Sequence, residues 1–253
     1  MLSDQIERYS RQIKLPQVGE TGQQQLLDAR VLIIGMGGLG SPVAMYLVAA
    51  GVGHLVISDY DRVDESNLQR QIVHTQASIN ELKAASARDT LLRLNPAVSI
   101  DALNYELDDE ELTKQVKQAN VVVDCTDNFP SRFELNRVSL ATGTPIVSGA
   151  AIRWEGQVST FIPKNSDSPC YQCLYREGDD EDSSCSQNGV MAPVVGIIGS
   201  VQAMETIKLI TAIGTSLAGR LLLLDATTMQ WQEMKLPRDS QCPACGNSGN
   251  AAQ

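Results

Sequence analysis

Two patterns of apolar residues alternate between residues 30 and 150. Short runs of consecutive apolar residues, typical of buried strands, are separated by stretches in which apolar residues recur every three or four positions, typical of amphipathic helices. The pattern predicts strands at Val31–Ile34, Leu55–Ser58, Val98–Leu103, Val121–Asp124 and Pro145–Ser148, and helices at Leu39–Ala50, Ile79–Leu94, Asp109–Gln118 and Ser131–Ala141. Gly51 and Pro96 follow two of these helices as stop signals, and Pro130 suits the first turn of another. We expect an α/β fold with a mostly parallel sheet and helices on both faces.

The pattern changes after residue 150. It predicts a strand at Gly156–Ile162, a long loop at 163–190, a helix at 192–212, and an antiparallel pair formed by Leu221–Leu224 and Gln230–Lys235. The loop contains an acidic run at 177–184, which we expect to be solvated and mobile. A loop of this length in a compact domain usually has a function.

The charge balance excludes several classes of partner. The chain has 20 basic and 30 acidic residues, which gives a net charge of −10. Because this charge repels other anions, we expect neither nucleic acid nor an anionic membrane surface as a partner. The N-terminus lacks the apolar segment of a secretory signal, and the prediction is a cytoplasmic protein. In that reducing compartment the 6 cysteines favour metal binding or reactive thiols over disulfides. The 2 histidines, His54 and His74, are interpreted as structural.

A glycine-rich loop follows the first predicted strand. Gly35, Gly37 and Gly40 form the pattern G-x-G-x-x-G, a helix follows at once, and Asp59 ends the next strand 19 residues beyond Gly40. This arrangement is typical of a Rossmann-like fold, in which the loop and the helix N-terminus bind phosphate and the acidic residue binds ribose. NAD would be the usual ligand, and hydride transfer is one interpretation.

A polar cluster beyond Asp59 favours a different chemistry. Asn67, Gln69 and Arg70 lie within four positions, and Lys83 follows. Nucleotidyl transfer needs such cations, because charge develops on phosphate oxygens as pyrophosphate leaves. The alternative is that Arg70 and Lys83 lie on solvated faces.

A second acidic site ends a later strand of the same sheet. In the sequence DCTDN, Asp127 and Asn128 follow the strand Val121–Asp124. Ligands of open parallel sheets bind at the carboxyl ends of the strands, so we expect both residues beside the glycine loop, with Asp127 as a Mg²⁺ ligand. Asp127 could instead cap the helix that begins near Pro130.

Four cysteines form two C-x-x-C pairs. Cys170 with Cys173 and Cys242 with Cys245 are separated by 68 residues, and the pairs predict a tetrahedral, four-thiolate structural zinc site joining distant segments. Cys125, at a strand end, is interpreted as a packing residue.

Nearly the whole chain resembles the ubiquitin-activating-like adenylyltransferases that act on small sulfur-carrier proteins, the MoeB/ThiF family. The motifs that carry the resemblance are RYSRQI, GMGGLG, SNLQRQ, DCTDN, SGAAIRWEGQV, CYQC, GVMAPVVGIIGSVQAMETIK and CPACG. Within the family, the phrases VSGAAIRWEGQ, GVMAPVVGIIGS and MQWQEMKL look most like the molybdopterin-synthase (MoeB) type, and the thiamine-pathway (ThiF) type is next.

The resemblance implies a function and a set of site residues. The family joins the C-terminal glycine carboxylate of a ubiquitin-fold carrier, whose tail ends in Gly-Gly, to AMP from ATP with Mg²⁺. By the resemblance, Gly38 and Asp59 contact the adenosine. The residues expected at the ribose and phosphates are Ser66, Asn67, Gln69, Arg70 and Lys83. Asp127 and Asn128 are assigned to metal and nucleotide, and structural zinc to the four cysteines.

The resemblance also implies an assembly and a division of the chain. Arg11 matches a residue that reaches the triphosphate of the partner subunit, which implies a homodimer binding two carriers. We expect one domain over 1–253: an N-terminal helical arm (1–29), a nucleotide-binding half (30–150) and a carrier-binding and zinc half (151–253). Cys185 could form a thioester or persulfide, or sulfur could come from a separate donor protein. A scaffold that binds carriers without using ATP remains a non-enzymatic alternative.

Overall fold

The computed structural model describes residues 1–176 and 189–246. The helices are α1 (Ser3–Arg8), α2 (Ser10–Ile13), α3 (Gly19–Asp28), α4 (Gly40–Ala50), α5 (Lys83–Leu94), α6 (Asp109–Gln118), α7 (Phe129–Thr142) and α8 (Ala192–Thr211). The strands are β1 (Arg30–Ile34), β2 (His54–Ser58), β3 (Ser99–Leu103), β4 (Val121–Asp124), β5 (Ile146–Ile152), β6 (Glu155–Phe161), β7 (Arg220–Asp225) and β8 (Gln230–Lys235). Two predictions, a mobile acidic run and a reactive Cys185, fall outside the described residues.

The strands form a single sheet that is part parallel and part antiparallel. Its order is β3-β2-β1-β4-β5-β6-β7-β8. Strands β1 to β5 pair in parallel, whereas β6, β7 and β8 continue the sheet in antiparallel register. The predicted fold class, a mostly parallel Rossmann-like sheet continued by an antiparallel part, is confirmed.

Both faces of the parallel half are covered. Alternate residues of β1 face opposite sides: Val31 and Ile33 pack in the cluster that includes α4 and α8, whereas Leu32 packs against residues of α6 and α7. Because both faces are buried, these strands are continuous apolar runs without polar alternation. The polar loops that connect them are therefore left at the two ends of the sheet.

Helix α8 is the one helix of the described chain with the length and apolar composition of a membrane span. In the fold it packs on α4, β5 and β6, and Val194, Ile198 and Ala203 are buried there. Packing in the protein core accounts for its apolar composition.

Two predicted boundaries differ from the structure by more than two residues. The helix predicted at Ile79–Leu94 begins only at Lys83, because a 3-10 turn at Gln76–Ser78 and Asn80, with φ of 72°, break the helical path before it. The strand predicted at Pro145–Ser148 runs on to Ile152, because seven residues of β5 pair with β6 in an antiparallel hairpin. Gly51 ends α4 in the left-handed conformation, as predicted, with φ of 89°.

Candidate active site

A cavity of about 630 Å³ lies at the carboxyl ends of β1, β2 and β4. Its lining includes most of the predicted nucleotide residues: Gly35, Gly37, Gly38, Asp59, Ser66, Gln69, Arg70, Lys83, Asp127 and Asn128. The structure thus brings together the glycine loop, the polar cluster and the DCTDN segment, which are distant in sequence. Gly40, Asn67 and Arg11 are not among the lining residues.

The glycine loop is tight enough that side chains would disrupt it. Gly35 has φ of 94°, and a Cβ there would lie 2.7 Å from the Cys125 carbonyl oxygen. A Cβ at Gly40, the first residue of α4, would lie 2.0 Å from the Gly35 carbonyl oxygen. Gly40 therefore closes the turn without contacting the cavity, and the N-terminus of α4 points toward the cavity, where it can attract phosphate.

Asp59 is held by the loop it faces. Its Oδ2 accepts from the Met36 amide at 2.8 Å and its Oδ1 from the Asp61 amide at 2.9 Å. Burial raises the pKa of Asp59, while the nearby Lys83 and these two hydrogen bonds act in the opposite direction. The carboxylate is fixed beside the glycine loop, in the position from which this residue type accepts ribose hydroxyls.

Two cations face the same space from different elements. The Lys83 ammonium, at the start of α5, is buried and donates to Asp61 Oδ2 at 2.8 Å. The Arg70 guanidinium donates to the Ser66 carbonyl at 3.1 Å. The alternative that both residues lie on solvated faces is wrong for Lys83, which is 7% exposed.

Asn67 has a local structural role. It ends the 3-10 turn Glu65–Asn67, and its Oδ1 accepts from the Asp64 amide at 3.3 Å. Asp64 Oδ1 in turn accepts from the Ser66 amide at 2.8 Å. These bonds shape the turn that presents Ser66 and Arg70 to the cavity.

Asn128, not Asp127, caps α7. The Asn128 Oδ1 accepts from the Ser131 amide at 3.0 Å. An N-cap side chain accepts from the second or third residue of the helix, and because the second residue here is Pro130, which has no N–H, the bond goes to Ser131. The alternative that Asp127 is the cap is therefore wrong. Asp127 is exposed at the cavity, and its carboxylate is the kind of ligand that Mg²⁺ prefers.

Within one chain the cavity has more acidic than basic side chains. Five carboxylates line it (Asp59, Asp61, Glu106, Asp127 and Glu134) against three basic groups (Arg70, Lys83 and Arg132). A polyphosphate would bind poorly to these charges alone. The electrostatics therefore favour a bound divalent cation, a further basic residue from another chain, or both.

A buried network under Asp127 was missed by sequence analysis. Arg132 is buried and donates to the carbonyls of Thr126, at 2.6 Å, and Gly149, at 3.2 Å. Beside it the buried Asp124 accepts from the hydroxyls of Thr126 and Ser148, both at 2.7 Å. The network fixes the backbone that leads to Asp127. The sequence offers one signal for this network, the charged Asp124 at the end of the apolar run Val121–Asp124, and its local pattern does not mark Arg132.

A second cavity continues from the first along the antiparallel strands. Its volume is about 450 Å³, and the two share Asp127, Asn128, Arg132 and Ala151. Its lining includes residues of the SGAAIRWEGQV motif and of β7 and β8, namely Ala150, Ile152, Glu155, Gly156, Gln157, Leu223, Gln230 and Gln232. An extended chain lying in it would have its end beside Asp127.

His74 supports the glycine loop from behind. It is buried, its Nε2 lies 3.1 Å from the Met36 carbonyl oxygen, and its Nδ1 lies 2.9 Å from the Ser86 hydroxyl. Burial lowers the pKa of His74, with the nearby Lys83 acting in the same direction and the Met36 carbonyl opposing. His54 instead pairs with Asp101 at the surface, with Nε2 and Oδ2 2.8 Å apart. Both positions agree with structural roles.

Arg11 lies away from the cavity of its own chain. It is exposed on α2. The residues on either side of it contact segments at the amino ends of the strands: the Tyr9 hydroxyl accepts a hydrogen bond from Asn95, and Gln12 donates to the Ala50 carbonyl. The cavity lies at the opposite end of the sheet, at the carboxyl ends of the strands. Arg11 therefore does not contribute to the cavity of its own chain.

The four cysteines of the C-x-x-C pairs form one cluster, with all Sγ atoms within 4.8 Å of one another. Cys170 Sγ lies 4.0 Å from that of Cys173 and 3.6 Å from that of Cys242, and Cys173 Sγ lies 3.4 Å from that of Cys245. Four thiolates around a zinc ion would be about 3.8 Å apart, from Zn–S bonds of about 2.3 Å at tetrahedral angles. The donor set and its spacing fit a structural metal site.

Binding of a metal would change the protonation of the clustered thiols. Burial raises the pKa of Cys170 and of Cys245, the latter to about 11. Burial also acts on Cys242, but hydrogen bonds from the Cys245 and Ala244 amides outweigh it, and its pKa is lowered. Without a cation Cys170 and Cys245 would remain protonated at neutral pH, whereas a divalent metal would stabilise all four thiolates. Cys125, outside the cluster, is buried as predicted.

Comparisons with known proteins find relatives over nearly the whole chain. The ThiF family model matches residues 9–244. The molybdopterin-synthase adenylyltransferase of Escherichia coli (strain K12) is 47% identical, over 97% of this chain and 98% of that protein. The sulfur carrier protein ThiS adenylyltransferase of the same strain is 45% identical, over 95% of each. Among solved structures, E. coli MccB with MccA-N7isoASN superposes with a TM-score of 0.84 at 22% identity, covering 95% of this chain and 75% of that one, which shows the shared fold.

Proposed function

The chain belongs to the ThiF family, and from this premise we propose that it uses ATP to adenylate the C-terminal glycine of a small ubiquitin-fold sulfur-carrier protein. The reaction releases pyrophosphate and prepares the carrier for thiocarboxylation. One observation carries the proposal: the glycine loop, Arg70, Lys83 and Asp127 line one cavity. A nicotinamide oxidoreductase would have no use for this combination of cations and an exposed carboxylate.

The chemistry matches the residues that are present. The attacking group is an α-carboxylate with a pKa of about 3.5, ionised at neutral pH, so no general base is needed. The enzyme must align this carboxylate with the α-phosphorus and compensate the charge on the phosphate oxygens. Arg70, Lys83 and the backbone amides of the glycine loop supply donors for that purpose. Asp127 would hold Mg²⁺, which when bound neutralises phosphate charge.

The second cavity supports a protein tail as the substrate. It leads along β5 and β6 to Asp127, where the first cavity begins. A tail ending in Gly-Gly could follow this groove, because residues without side chains can approach the nucleotide closely. We keep the expected division of the chain, in which the half at 30–150 would bind nucleotide and the half at 151–253 would bind the carrier and zinc.

The acidic balance of the cavity supports a homodimer. Arg11 is exposed near the amino ends of the strands, far from the cavity of its own chain. An Arg11 from a second copy would supply a cation that the cavity lacks. The assembly would be a dimer of this chain with two carriers, in the cytoplasm. The cysteine cluster would hold structural zinc, and sulfur would come from a donor protein or through Cys185.

We favour the small subunit of molybdopterin synthase as the carrier, with a thiamine-pathway carrier as the alternative, because motif phrases favour the first. The test is ATP–pyrophosphate exchange with Mg²⁺ and each carrier, intact and with its terminal glycine removed. Exchange with one intact carrier names the pathway, and exchange with both indicates a shared enzyme. Binding of the carriers without any exchange would favour the scaffold alternative.

A further inference from the structure

Gln71 is a buried amide that makes no side-chain hydrogen bond within the described chain. It is 4% exposed, and its Oε1 is enclosed without a partner. Other buried glutamines differ: Gln23 donates to the Ala50 carbonyl, Gln202 to the Asp124 carbonyl, and Gln115 pairs with Glu111 and Arg30. An unpaired buried amide costs stability, and a bound ligand can complete its bonding: Nε2 can donate to an acceptor atom of the ligand, whereas Oε1 needs a donor, such as a water molecule that the ligand orders.

The position of Gln71 identifies that ligand. Its side chain lines the larger cavity, and its Nε2 would lie 3.5 Å from a Cβ built on Gly37. Gly37 is the second glycine of G-x-G-x-x-G, the position at which the backbone of such loops approaches a phosphate chain. The next residue along the chain toward the N-terminus is Arg70, which faces the same cavity.

We propose that the Gln71 carboxamide binds the phosphate chain of ATP, with Nε2 donating to a phosphate oxygen beside Gly37. This inference rests on the proposed function and adds a phosphate ligand to it. A neutral amide places a donor next to the glycine loop without adding charge, and it orients the phosphates through a directed hydrogen bond. Arg70 and Lys83, already engaged with Ser66 and Asp61, provide the charge.

The test uses the full-length protein and the substitution Gln71→Leu, which is close to isosteric. Binding of MgATP and of adenosine is measured by calorimetry or competition, and melting of the ligand-free protein is followed in parallel. We expect ATP affinity to fall about 10-fold or more, the usual worth of a hydrogen bond to a charged group. Adenosine affinity should stay unchanged, and the ligand-free melting temperature should stay the same or rise, because the variant removes an unpaired buried group.

Gln115→Leu is the matched control. Gln115 is a buried glutamine with its bonds made inside the protein, so the control should lower the melting temperature and leave ATP affinity unchanged. Gln71→Glu places a carboxylate beside the phosphates and should weaken ATP binding by about 100-fold, more than Gln71→Leu does.

The outcomes separate this inference from the proposed function. If Gln71→Leu behaves like Gln115→Leu, or weakens adenosine and ATP equally, Gln71 is a structural residue and the inference is wrong, while ATP binding by the wild type still supports the function. The inference is also wrong if Gln71→Glu binds ATP like the wild type. If the wild type binds no ATP, the proposed function itself fails, and the phosphate role of Gln71 fails with it.

Discussion

The larger cavity and the cysteine cluster are both candidate ligand sites, and they are built in opposite ways. In the cluster four side chains from two distant segments lie within 4.8 Å and face one another. Around the cavity the polar side chains surround a space of about 630 Å³, and several are bonded to the loops that border it. The cluster is closed, with no position for a substrate, whereas the cavity is open.

Because of this difference, we expect the cluster to contribute mainly to stability and the cavity mainly to activity. A closed site with all its ligands in the protein contributes to folding, because removing the metal leaves clustered thiols without a cation. An open site keeps polar groups oriented toward a ligand, and it tolerates their loss in the ligand-free state. Substitutions in the cavity should therefore reduce activity and leave the stability of the fold unchanged. Changes in the cluster should instead lower the stability of the fold.

The largest expected effect is on activity, from Asp127→Ala. We expect carrier-dependent exchange to fall by about 100-fold or more, because charge compensation at the phosphates is lost. The free energy of unfolding should change by less than about 0.5 kcal/mol, since Asp127 is exposed and does not cap α7. Asp89→Ala, at another exposed carboxylate, is the control and should keep full exchange. Wild-type turnover in Asp127→Ala would remove Asp127 from the metal assignment.

The next effect is on stability, from metal removal. A strong chelator should lower the melting temperature by about 4–8 °C, the shift that corresponds to about 2 kcal/mol for a chain of this size. Cys245→Ser should start from the lower value and respond little to the chelator. Cys125→Ser, at a buried cysteine outside the cluster, should keep the full response. Equal chelator shifts in both variants would contradict a metal at the cluster.

A smaller effect is expected at low pH through His74. Burial lowers the pKa of His74 in the folded protein, so the unfolded chain takes up a proton first as the pH falls. The contribution to stability is complete above the unfolded pKa of about 6.5 and is lost below it, at no more than about 1.4 kcal/mol per pH unit. Urea unfolding at several pH values should show a shallower loss in His74→Gln. Equal slopes in the two proteins would show that other groups control the acid sensitivity.

The smallest effect tests whether the two regions are independent. Tyr171, between the cysteines of the first pair, is buried, and its hydroxyl accepts from Arg132 at 3.4 Å. Tyr171→Phe should cost less than about 1 kcal/mol of stability, because this bond is long. If the cluster also positions the backbone before Asp127, the exchange rate should fall roughly two- to five-fold with ATP affinity unchanged. An unaltered rate would show that the regions act separately.

Features with local causes were predictable. Strand and helix positions followed from apolar periodicity, and the glycine loop followed from residues close in sequence. The two C-x-x-C pairs indicated their own cluster because thiolates at this spacing have few other uses. The rule that ligands bind at the carboxyl ends of parallel strands placed Asp127 beside the glycine loop.

The sequence by itself determined the fold class, the family and the types of residue in the site. Only the tertiary structure decided which side chains are bonded within the protein: Asn128 caps α7, Arg132 supports the segment before Asp127, and Gln71 Oε1 is unpaired. It also decided that Arg11 lies near the amino ends of the strands, away from the cavity. The physical reason is distance along the chain. Periodicity and turn chemistry act over a few residues, whereas burial and hydrogen bonding of a side chain depend on segments that meet only when the sheet has formed.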